Sequence, residues 1–336
     1  MDSLTQFVLG ASVAAATTGR RSPTGRAVLW GGVCGTLPDL DAFVRYGDPI
    51  LDMVLHRSHS HGLFWLAIAS LPLGLLAALV FRERDRWRRW WAATALALLT
   101  HPLLDAMTVY GTQLARPFSD HPFAVGSIFI IDPMYTVPLL VGMVAAWRMR
   151  EHRGLAWNAA GLALSTAYLA WSALAQQHVE TIVARELARR SIAAERVLVT
   201  PTAFNTVLWR VLVVERDGYR EGFLSLLDDL DRIDFDRFDR GAPLLASAGA
   251  LPMPARLADF AHGFVAMAER DGRATITDLR MGQEPFYVFR FVVARREGGA
   301  WSPVSPSELV GGRPELGRGL DWLWRRMQGQ RIPPPR

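Results

Sequence analysis

Long apolar runs, separated by short stretches that carry arginine, fill the first half of the chain. A membrane-crossing helix needs about 20 mostly apolar residues. Six runs approach that length, and they lie at roughly 4–19, 27–46, 62–81, 89–109, 128–147 and 155–175. We therefore predict an α-helical polytopic membrane domain of about six segments over residues 1–177. The run at 4–19 is short, so whether it crosses fully stays open.

The second half has a different pattern. Residues 178–336 carry 44 charged side chains, against 25 in residues 1–177. Within the second half, 207–215 and 285–296 are rich in β-branched and aromatic residues, which predicts strands. The apolar spacing of 181–194 and 255–270 predicts helices. We expect residues 178–336 to form a smaller, soluble α+β domain.

The arginines between the apolar runs predict an orientation, because short arginine-rich loops stay in the cytoplasm. The first, third and fifth loops hold most of them: Arg20, Arg21 and Arg26, then five between Arg82 and Arg89, then Arg148, Arg150 and Arg153. This pattern places both termini, and so the C-terminal domain, on the extracytoplasmic side. The basic residues of the second half alternate with acidic ones, so we expect no nucleic-acid partner.

Several ionisable residues interrupt the apolar runs, where they are costly and usually functional. By the predicted orientation they all lie towards the outer membrane face. They fall in the segments GTLPDLD, HRSHSHG, THPLLD and IFIIDP, and they are Asp39, Asp41, His56, His59, His61, His101, Asp105 and Asp132. Histidine with carboxylate is a ligand set for zinc, manganese or iron. Together the residues predict a metal site near that face.

Each segment alone also has a structural interpretation. His101 and Asp105 are four residues apart, which places them on one helix face, but they could be only a hydrogen-bonded pair. Pro102 between them can kink that helix. Asp132 before a proline is typical of a helix N-cap. The single cysteine, Cys34, excludes an internal disulfide framework and a cysteine-based zinc site.

Residues 1–150 resemble the YdjM-like family of inner-membrane-associated metal-dependent hydrolases, in the branch with glutamine near its start. The opening MDSLTQF supplies Gln6, and GTLPDLD matches the family motif LPDxD. HRSHSHG resembles HRGxSHS, with Ser58 and Gly62 as departures. The match to SHxxxDxxTxxG gives His101, Asp105, Thr108 and Gly111. The family's hydrolase assignment itself comes from these ligand motifs, and the second half resembles a C-terminal extension of that branch.

The resemblance implies a multi-pass protein of the bacterial inner membrane with one or two divalent ions, zinc first and manganese or iron as alternatives. The expected metal ligands are Asp39, Asp41, His56, His61, His101 and Asp105. Asp41 or Asp132 is the expected general base, and Arg57 is expected to pair with a phosphate or carboxylate of the substrate.

The sequence favours a membrane-bound metal-dependent hydrolase that acts on an ester or phosphoester of an amphiphilic, lipid-like substrate at the outer interface. The bilayer is the expected partner, and no protein partner is indicated. One alternative is a non-catalytic membrane protein with a structural metal site or an ion or proton pathway, whose soluble domain binds a partner. Another is an interaction scaffold that uses the soluble domain alone.

Overall fold

The computed structural model describes residues 1–19, 24–149, 152–228, 232–312 and 316–336. The chain divides into two compact units. Unit 1 comprises Met1–Val44, Leu55–Ala173 and Ala203–Asn205. Unit 2 comprises Arg45–Val54, Leu174–Thr202 and Thr206–Arg336. The predicted loop arginines Arg20, Arg21 and Arg150 lie outside the described residues.

Helices make up the first part of the chain. Their bounds are α1 (Ser3–Thr18), α2 (Thr24–Thr36), α3 (Pro49–Leu55), α4 (Leu63–Val80), α5 (Trp87–Ala106), α6 (Pro133–Arg148) and α7 (His152–Arg189), with short 3-10 helices at Pro38–Phe43, His59–His61 and Arg84–Arg86. Asp2 begins α1 because its carboxylate accepts a hydrogen bond from the Thr5 amide at 3.0 Å. Despite Pro102, α5 is continuous from Trp87 to Ala106.

The prediction of a six-span polytopic membrane domain is wrong. Of the described helices, α4 alone is both long enough and apolar enough to cross a membrane. Helices α1, α2 and α6 have 16, 13 and 16 residues, short of the roughly 20 that a bilayer requires. Two of the apolar runs extend well beyond the helix that lies within them. The run at 27–46 leaves helix α2 after Thr36, and the run at 128–147 becomes helical only at Pro133.

Glycines allow α1 and α2 to approach closely. A Cβ atom on Gly31 would lie 2.3 Å from the Gly10 carbonyl oxygen, and a Cβ on Gly35 would lie 2.5 Å from the Gln6 carbonyl oxygen. No side chain fits in these places. The close crossing fixes Gln6 on α1 beside the C-terminal end of α2, and that end leads directly into the segment with Asp39 and Asp41.

Unit 2 contains two four-stranded antiparallel sheets. The first has the order β1-β2-β3-β4, with β1 (Arg196–Pro201), β2 (Leu208–Val214), β3 (Gly218–Ser225) and β4 (Phe235–Asp239). The second has the order β10-β9-β6-β5, with β5 (Val265–Arg270), β6 (Arg273–Asp278), β9 (Arg290–Glu297) and β10 (Ala300–Leu309). The remaining elements are the β7–β8 pair (Gly282–Gln283 and Phe286–Tyr287) and the helices α8 (Ala242–Ser247), α9 (Pro252–Phe260) and α10 (Leu316–Met327).

The core of unit 2 lies on both faces of the first sheet. Val179 and Val183 of α7 pack with Trp209 and Val211 of β2 on one face. On the other face, side chains of β2 and β3 pack with residues of the second sheet and its loops, including Phe264 and Leu279. Strand alternation explains this arrangement, because successive side chains of a strand point to opposite faces.

The individual element predictions for the second half had mixed outcomes. The strand expected at 207–215 is β2, and the one expected at 285–296 is divided between β8 and β9. The helix expected at 181–194 ends at Arg189. The helix expected at 255–270 is wrong in its second half, because α9 ends at Phe260 and β5 begins at Val265. The intervening His262 and Gly263 have positive φ angles, which a helix cannot contain.

The glycine contact between α1 and α2 can be tested within one helix. We expect Gly31→Ala to destabilise the protein by about 1–3 kcal/mol, because the added methyl group overlaps the α1 backbone. Gly25→Ala is the matched control, since its Cβ would meet only the Trp147 ring at 3.7 Å, an ordinary contact. Thermal unfolding of both variants in detergent measures the difference. Equal melting temperatures would contradict the close contact.

Candidate metal centre

Four side chains from three segments of unit 1 bring their ligand atoms within 4.8 Å of one another. Asp39 comes from the 3-10 helix Pro38–Phe43, His61 ends the 3-10 helix His59–His61, and His101 and Asp105 lie in the last turns of α5. His61, His101 and Asp105 are fully buried. We call these four residues the metal cluster.

The spacing within the metal cluster fits one tetrahedral ion. The Nε2 atoms of His61 and His101 are 3.0 Å apart. Asp39 Oδ1 lies 3.6 Å from His61 Nε2 and 3.4 Å from His101 Nε2. Asp105 Oδ2 lies 3.3 Å and 3.5 Å from the same two atoms. Bonds of about 2.0–2.1 Å to a tetrahedral zinc ion separate neighbouring ligand atoms by about 3.3 Å.

The outer nitrogen of each histidine ring is held by another group. His101 Nδ1 lies 2.6 Å from the Gly35 carbonyl oxygen, so it must donate there. His61 Nδ1 lies 2.9 Å from Ser60 Oγ and 3.4 Å from Asp41 Oδ2. In the neutral rings, both Nε2 lone pairs then face the two carboxylates. Four electron-rich atoms around one buried point require a cation or a proton between them.

Asp105 is fixed from its other side. Its Oδ1 atom accepts a hydrogen bond from Gln6 Nε2 at 2.9 Å and contacts the Met1 amino group. Arg57 Nε lies 3.1 Å from Asp105 Oδ2, although its geometry is not that of a hydrogen bond. Asp105 Oδ2 is therefore buried without a hydrogen-bond partner among the described residues, as expected of an atom reserved for a metal ion.

Asp41 lies beside the metal cluster and organises the segment that carries His61. Its Oδ1 atom is 2.8 Å from His56 Nδ1. Its Oδ2 atom accepts hydrogen bonds from the Arg57 amide at 3.0 Å and from the Ser60 hydroxyl group. Asp41 and His56, both predicted as ligands, thus form a hydrogen-bonded pair outside the four-residue cluster. The His56 ring is half-buried and packs edge-on against Tyr110.

Arg57 is held in a strained backbone conformation and is buried. Its φ angle is +62°, and both backbone groups are engaged, since its amide donates to Asp41 and its carbonyl accepts from the Gln113 amide at 3.0 Å. Its guanidinium group donates to Thr108 Oγ1 at 3.2 Å and lies 4.9 Å from the centre of the Tyr110 ring. This environment directs the positive charge of Arg57 towards Asp105.

Asp132 has a structural environment. It caps α6 by accepting a hydrogen bond from the Met134 amide at 3.0 Å, and it accepts another from the Tyr168 hydroxyl group at 2.9 Å. Burial raises the pKa of Asp132, and the Tyr168 hydrogen bond opposes that effect only in part. These contacts do not include any member of the metal cluster. Its role as a general base stays a prediction.

The charges of the cluster shift the pKa values of its members. Burial lowers the pKa of His61, but the adjacent carboxylates of Asp105, Asp39 and Asp41 raise it to about 9. Burial raises the pKa of Asp39, yet hydrogen bonds with His101 and His61 hold it below its usual range. Asp41 is also shifted below its usual range, since hydrogen bonds with His56 and His61 outweigh the effect of burial. Without a metal ion, His61 therefore carries a proton at neutral pH.

Two contributors to the site came from parts of the chain that the ligand motifs do not cover. Gln6 belongs to the opening segment that resembles the family's start, and its side-chain amide donates to Asp105 Oδ1 at 2.9 Å. The Gly35 carbonyl oxygen, which orients His101, had no signal in the sequence, because every residue has a backbone carbonyl group. Only the close approach of α2 to α5 identifies it.

Comparison with known proteins agrees with the position of these residues in the chain. The profile of the family described as "YdjM inner membrane protein" matches residues 1–179, which include the entire metal cluster. The chain is also 25% identical over 254 residues to "Uncharacterized protein YfhP" of Bacillus subtilis (strain 168). That alignment covers 71% of this chain and 74% of the relative. No solved structure matches the chain.

The raised pKa of His61 predicts how pH affects the metal-free protein. A histidine whose pKa rises on folding, from 6.5 to about 9, stabilises the fold fully below pH 6.5 and progressively less as the pH rises through 9. A bound ion replaces that proton. We therefore expect the increase in melting temperature on adding Zn²⁺ to grow between pH 6.5 and 9.

Melting curves with Zn²⁺ and with a chelator across this range measure the effect. His61→Ala is the control in which the pH dependence should largely disappear. An increase in melting temperature that shrinks with rising pH would contradict the assignment of the proton to His61.

Proposed function

The chain belongs to the YdjM inner membrane protein family, and on that basis we propose that it is a membrane-bound, metal-dependent hydrolase. We propose an ester or phosphoester of an amphiphilic molecule as its substrate. The observation that carries the proposal is the metal cluster, in which two imidazole nitrogens and two carboxylate oxygens converge within 4.8 Å. Asp105 Oδ2 has no hydrogen-bond partner among the described residues, which supports the presence of a cation there.

We propose a single ion, with zinc as the first candidate and manganese or iron as alternatives. The described residues contain one group of three or more potential ligands, and its spacing suits zinc. An ion held by Asp39, His61, His101 and Asp105 would supply a Lewis acid. Because these four side chains fill a tetrahedral shell, the ion would have to become five-coordinate to bind a water molecule and lower its pKa towards about 7. The surrounding residues would orient the four ligands and accept or donate the protons that the reaction transfers.

The Asp41–His56 pair is the proposed proton-transfer group. The carboxylate of Asp41 is ionised, because its pKa is held below the usual range, so it accepts the Nδ1 proton of His56. This hydrogen bond leaves the Nε2 atom of the neutral ring free of a proton and therefore basic. The same carboxylate orients His61, so one residue couples the ligand segment to the proton acceptor.

Arg57 is proposed to act on the substrate through Asp105. The predicted direct pairing with a substrate phosphate or carboxylate would require an accessible guanidinium group, whereas Arg57 is only 3% exposed. Its positive charge beside Asp105 offsets part of the negative charge of the cluster. This keeps Asp105 ionised and in place as a ligand.

The amphiphilic substrate is supported by the position of the site along the chain. His61 lies two residues before Leu63, where α4 begins, and α4 is the described helix that is able to cross a membrane. If α4 crosses the bilayer, the metal cluster lies at its boundary with water. The predicted orientation depended on alternating spans, so the side on which residues 178–336 lie stays a prediction.

Two histidines of one 3-10 helix provide a direct test of the metal centre. We expect wild-type protein, purified in detergent, to contain about one divalent ion per chain. His61→Ala should lose it, and so should the His101→Ala, Asp105→Ala double variant. His59→Ala is the matched control, because His59 belongs to the same helix but is exposed, and it should keep the metal. Mass spectrometry measures the metal content of each variant. Wild-type protein that binds no divalent ion, even after reconstitution with metal, would exclude a metal-dependent hydrolase.

A second pair of variants tests the metal-ligand role of Asp39 separately from the proton-transfer role of His56. Asp39→Asn should lose the metal ion. His56→Gln should keep it and lower turnover by about 10²–10⁴-fold, as expected for loss of a general acid or base. Metal content, together with initial rates on bis(4-nitrophenyl) phosphate and 4-nitrophenyl octanoate, measures both effects. Metal loss in His56→Gln would instead make His56 a ligand. Bound metal without hydrolysis of any ester would favour a structural site.

A further inference from the structure

Two phenylalanines are the most exposed large hydrophobic side chains among the described residues. Phe43 is 83% exposed and Phe118 is 79% exposed. A phenylalanine ring left in water forfeits about 1.5–3 kcal/mol relative to an apolar environment. Such exposure indicates a surface that another apolar phase covers. Both rings belong to segments that build or adjoin the metal cluster.

Phe43 is attached to the carboxylate segment of the site. It ends the 3-10 helix Pro38–Phe43, which also carries Asp39 and Asp41. Leu40 on this helix and Val44 directly after it are exposed as well. The segment therefore directs carboxylates inwards, to the histidines, and apolar side chains outwards.

Phe118 lies in the loop after α5 and packs against the start of α4, which follows the 3-10 helix that carries His61. Its ring lies 5.3 Å from the ring of Phe64, the second residue of α4. The backbone of the same loop is tied to the start of α4, since the Leu63 amide donates to the Leu114 carbonyl at 3.0 Å. Trp65 lies against Phe64, with ring centres 5.1 Å apart. We call the exposed apolar side chains of the two segments the apolar collar: Leu40, Phe43, Val44, Phe64, Trp65 and Phe118.

We propose that the apolar collar lies in the bilayer interface and contacts the acyl chains of membrane lipids, so that the metal cluster faces bonds at the depth of the lipid head groups. This inference rests on the proposed function, because it specifies a membrane lipid as the source of the amphiphilic substrate. Continuity with α4 selects lipid as the occupant. The exposed face of α4 continues beyond Phe64 and Trp65 as an apolar surface of Ile68, Leu71, Leu75, Leu76 and Leu79.

The chemical nature of the collar agrees with this position. Tryptophan side chains at the ends of membrane-crossing helices concentrate at the level of the lipid head groups, and Trp65 lies at such a helix end. Esters and phosphoesters of membrane lipids lie at that same level. A collar there would hold the carboxylate and histidine segments beside their substrate without removing the lipid from the bilayer.

Spin labelling of the full-length protein tests the collar directly. Cys34→Ala removes the single native thiol, and one nitroxide is attached at Phe43→Cys or Phe118→Cys. The protein is reconstituted in phosphatidylethanolamine and phosphatidylglycerol vesicles. Power saturation then compares collisions with oxygen, which concentrates in lipid, and with chromium(III) oxalate, which stays in water and does not exchange its metal. Leu75→Cys is the lipid-exposed reference, and Asp120→Cys, whose side chain is 80% exposed, is the aqueous one.

We expect the labels at Phe43 and Phe118 to be at least about tenfold less accessible to chromium oxalate than the label at Asp120, and to approach the Leu75 label in oxygen accessibility. Labels that collide with chromium oxalate as often as the Asp120 label would overturn the proposal. Labels shielded from both reagents would overturn it as well, because they would indicate a protein partner on the collar.

A second measurement links the collar to substrate choice. Phe43→Ser with Phe118→Ser should leave the metal content and the hydrolysis of water-soluble bis(4-nitrophenyl) phosphate unchanged, and should lower hydrolysis of vesicle lipids at least about tenfold. Equal loss on both substrates would contradict a role in lipid contact. If wild-type protein hydrolyses neither substrate, the proposed function fails, whereas the spin-label result still decides whether the collar lies in lipid.

Discussion

The convergence of two imidazole nitrogens and two carboxylate oxygens on one buried point is the constraint on which unit 1 depends. Such a group is strongly unfavourable without a compensating positive charge. The surrounding structure supplies part of that charge through Arg57, whose Nε atom lies 3.1 Å from Asp105 Oδ2. The Nε2 atoms of His61 and His101 are 3.0 Å apart, and a cation or proton between them would supply the remaining positive charge.

The residues around the metal cluster hold its four side chains in place. The glycine contacts between α1 and α2 place Gln6 on Asp105 and the Gly35 carbonyl on His101. Asp41 holds His56, Ser60 and the strained Arg57 backbone, and so fixes the segment that delivers His61. A metal site needs this outer layer as much as its ligands, because a free imidazole or carboxylate rotates. In the proposed mechanism the same layer supplies the proton acceptor.

The candidate membrane helix and the metal cluster are adjacent in the chain. Residues 59–63 pass directly from the helix that carries His61 to the start of α4. The proposed substrate at this boundary would combine a polar bond for the metal cluster with an apolar part for the exposed phenylalanines, as a lipid does. Family membership adds that the relatives of this chain are inner membrane proteins, and it leaves the substrate to be determined by the site.

The sequence by itself predicted a metal site, because histidine and aspartate are costly in an apolar half of the chain and form a common ligand set. Among its expected ligands were Asp39, His61, His101 and Asp105, whose ligand atoms lie within 4.8 Å of one another, and it also predicted the strand Leu208–Val214. The tertiary structure decided which of six expected ligands converge, since Asp41 and His56 have the same chemistry but face each other. Among the described helices it also reduced six expected spans to one candidate, because the other helices are either too short or too polar to cross a membrane. The backbone contacts at Gly31 and Gly35, which no side-chain pattern records, set the final geometry.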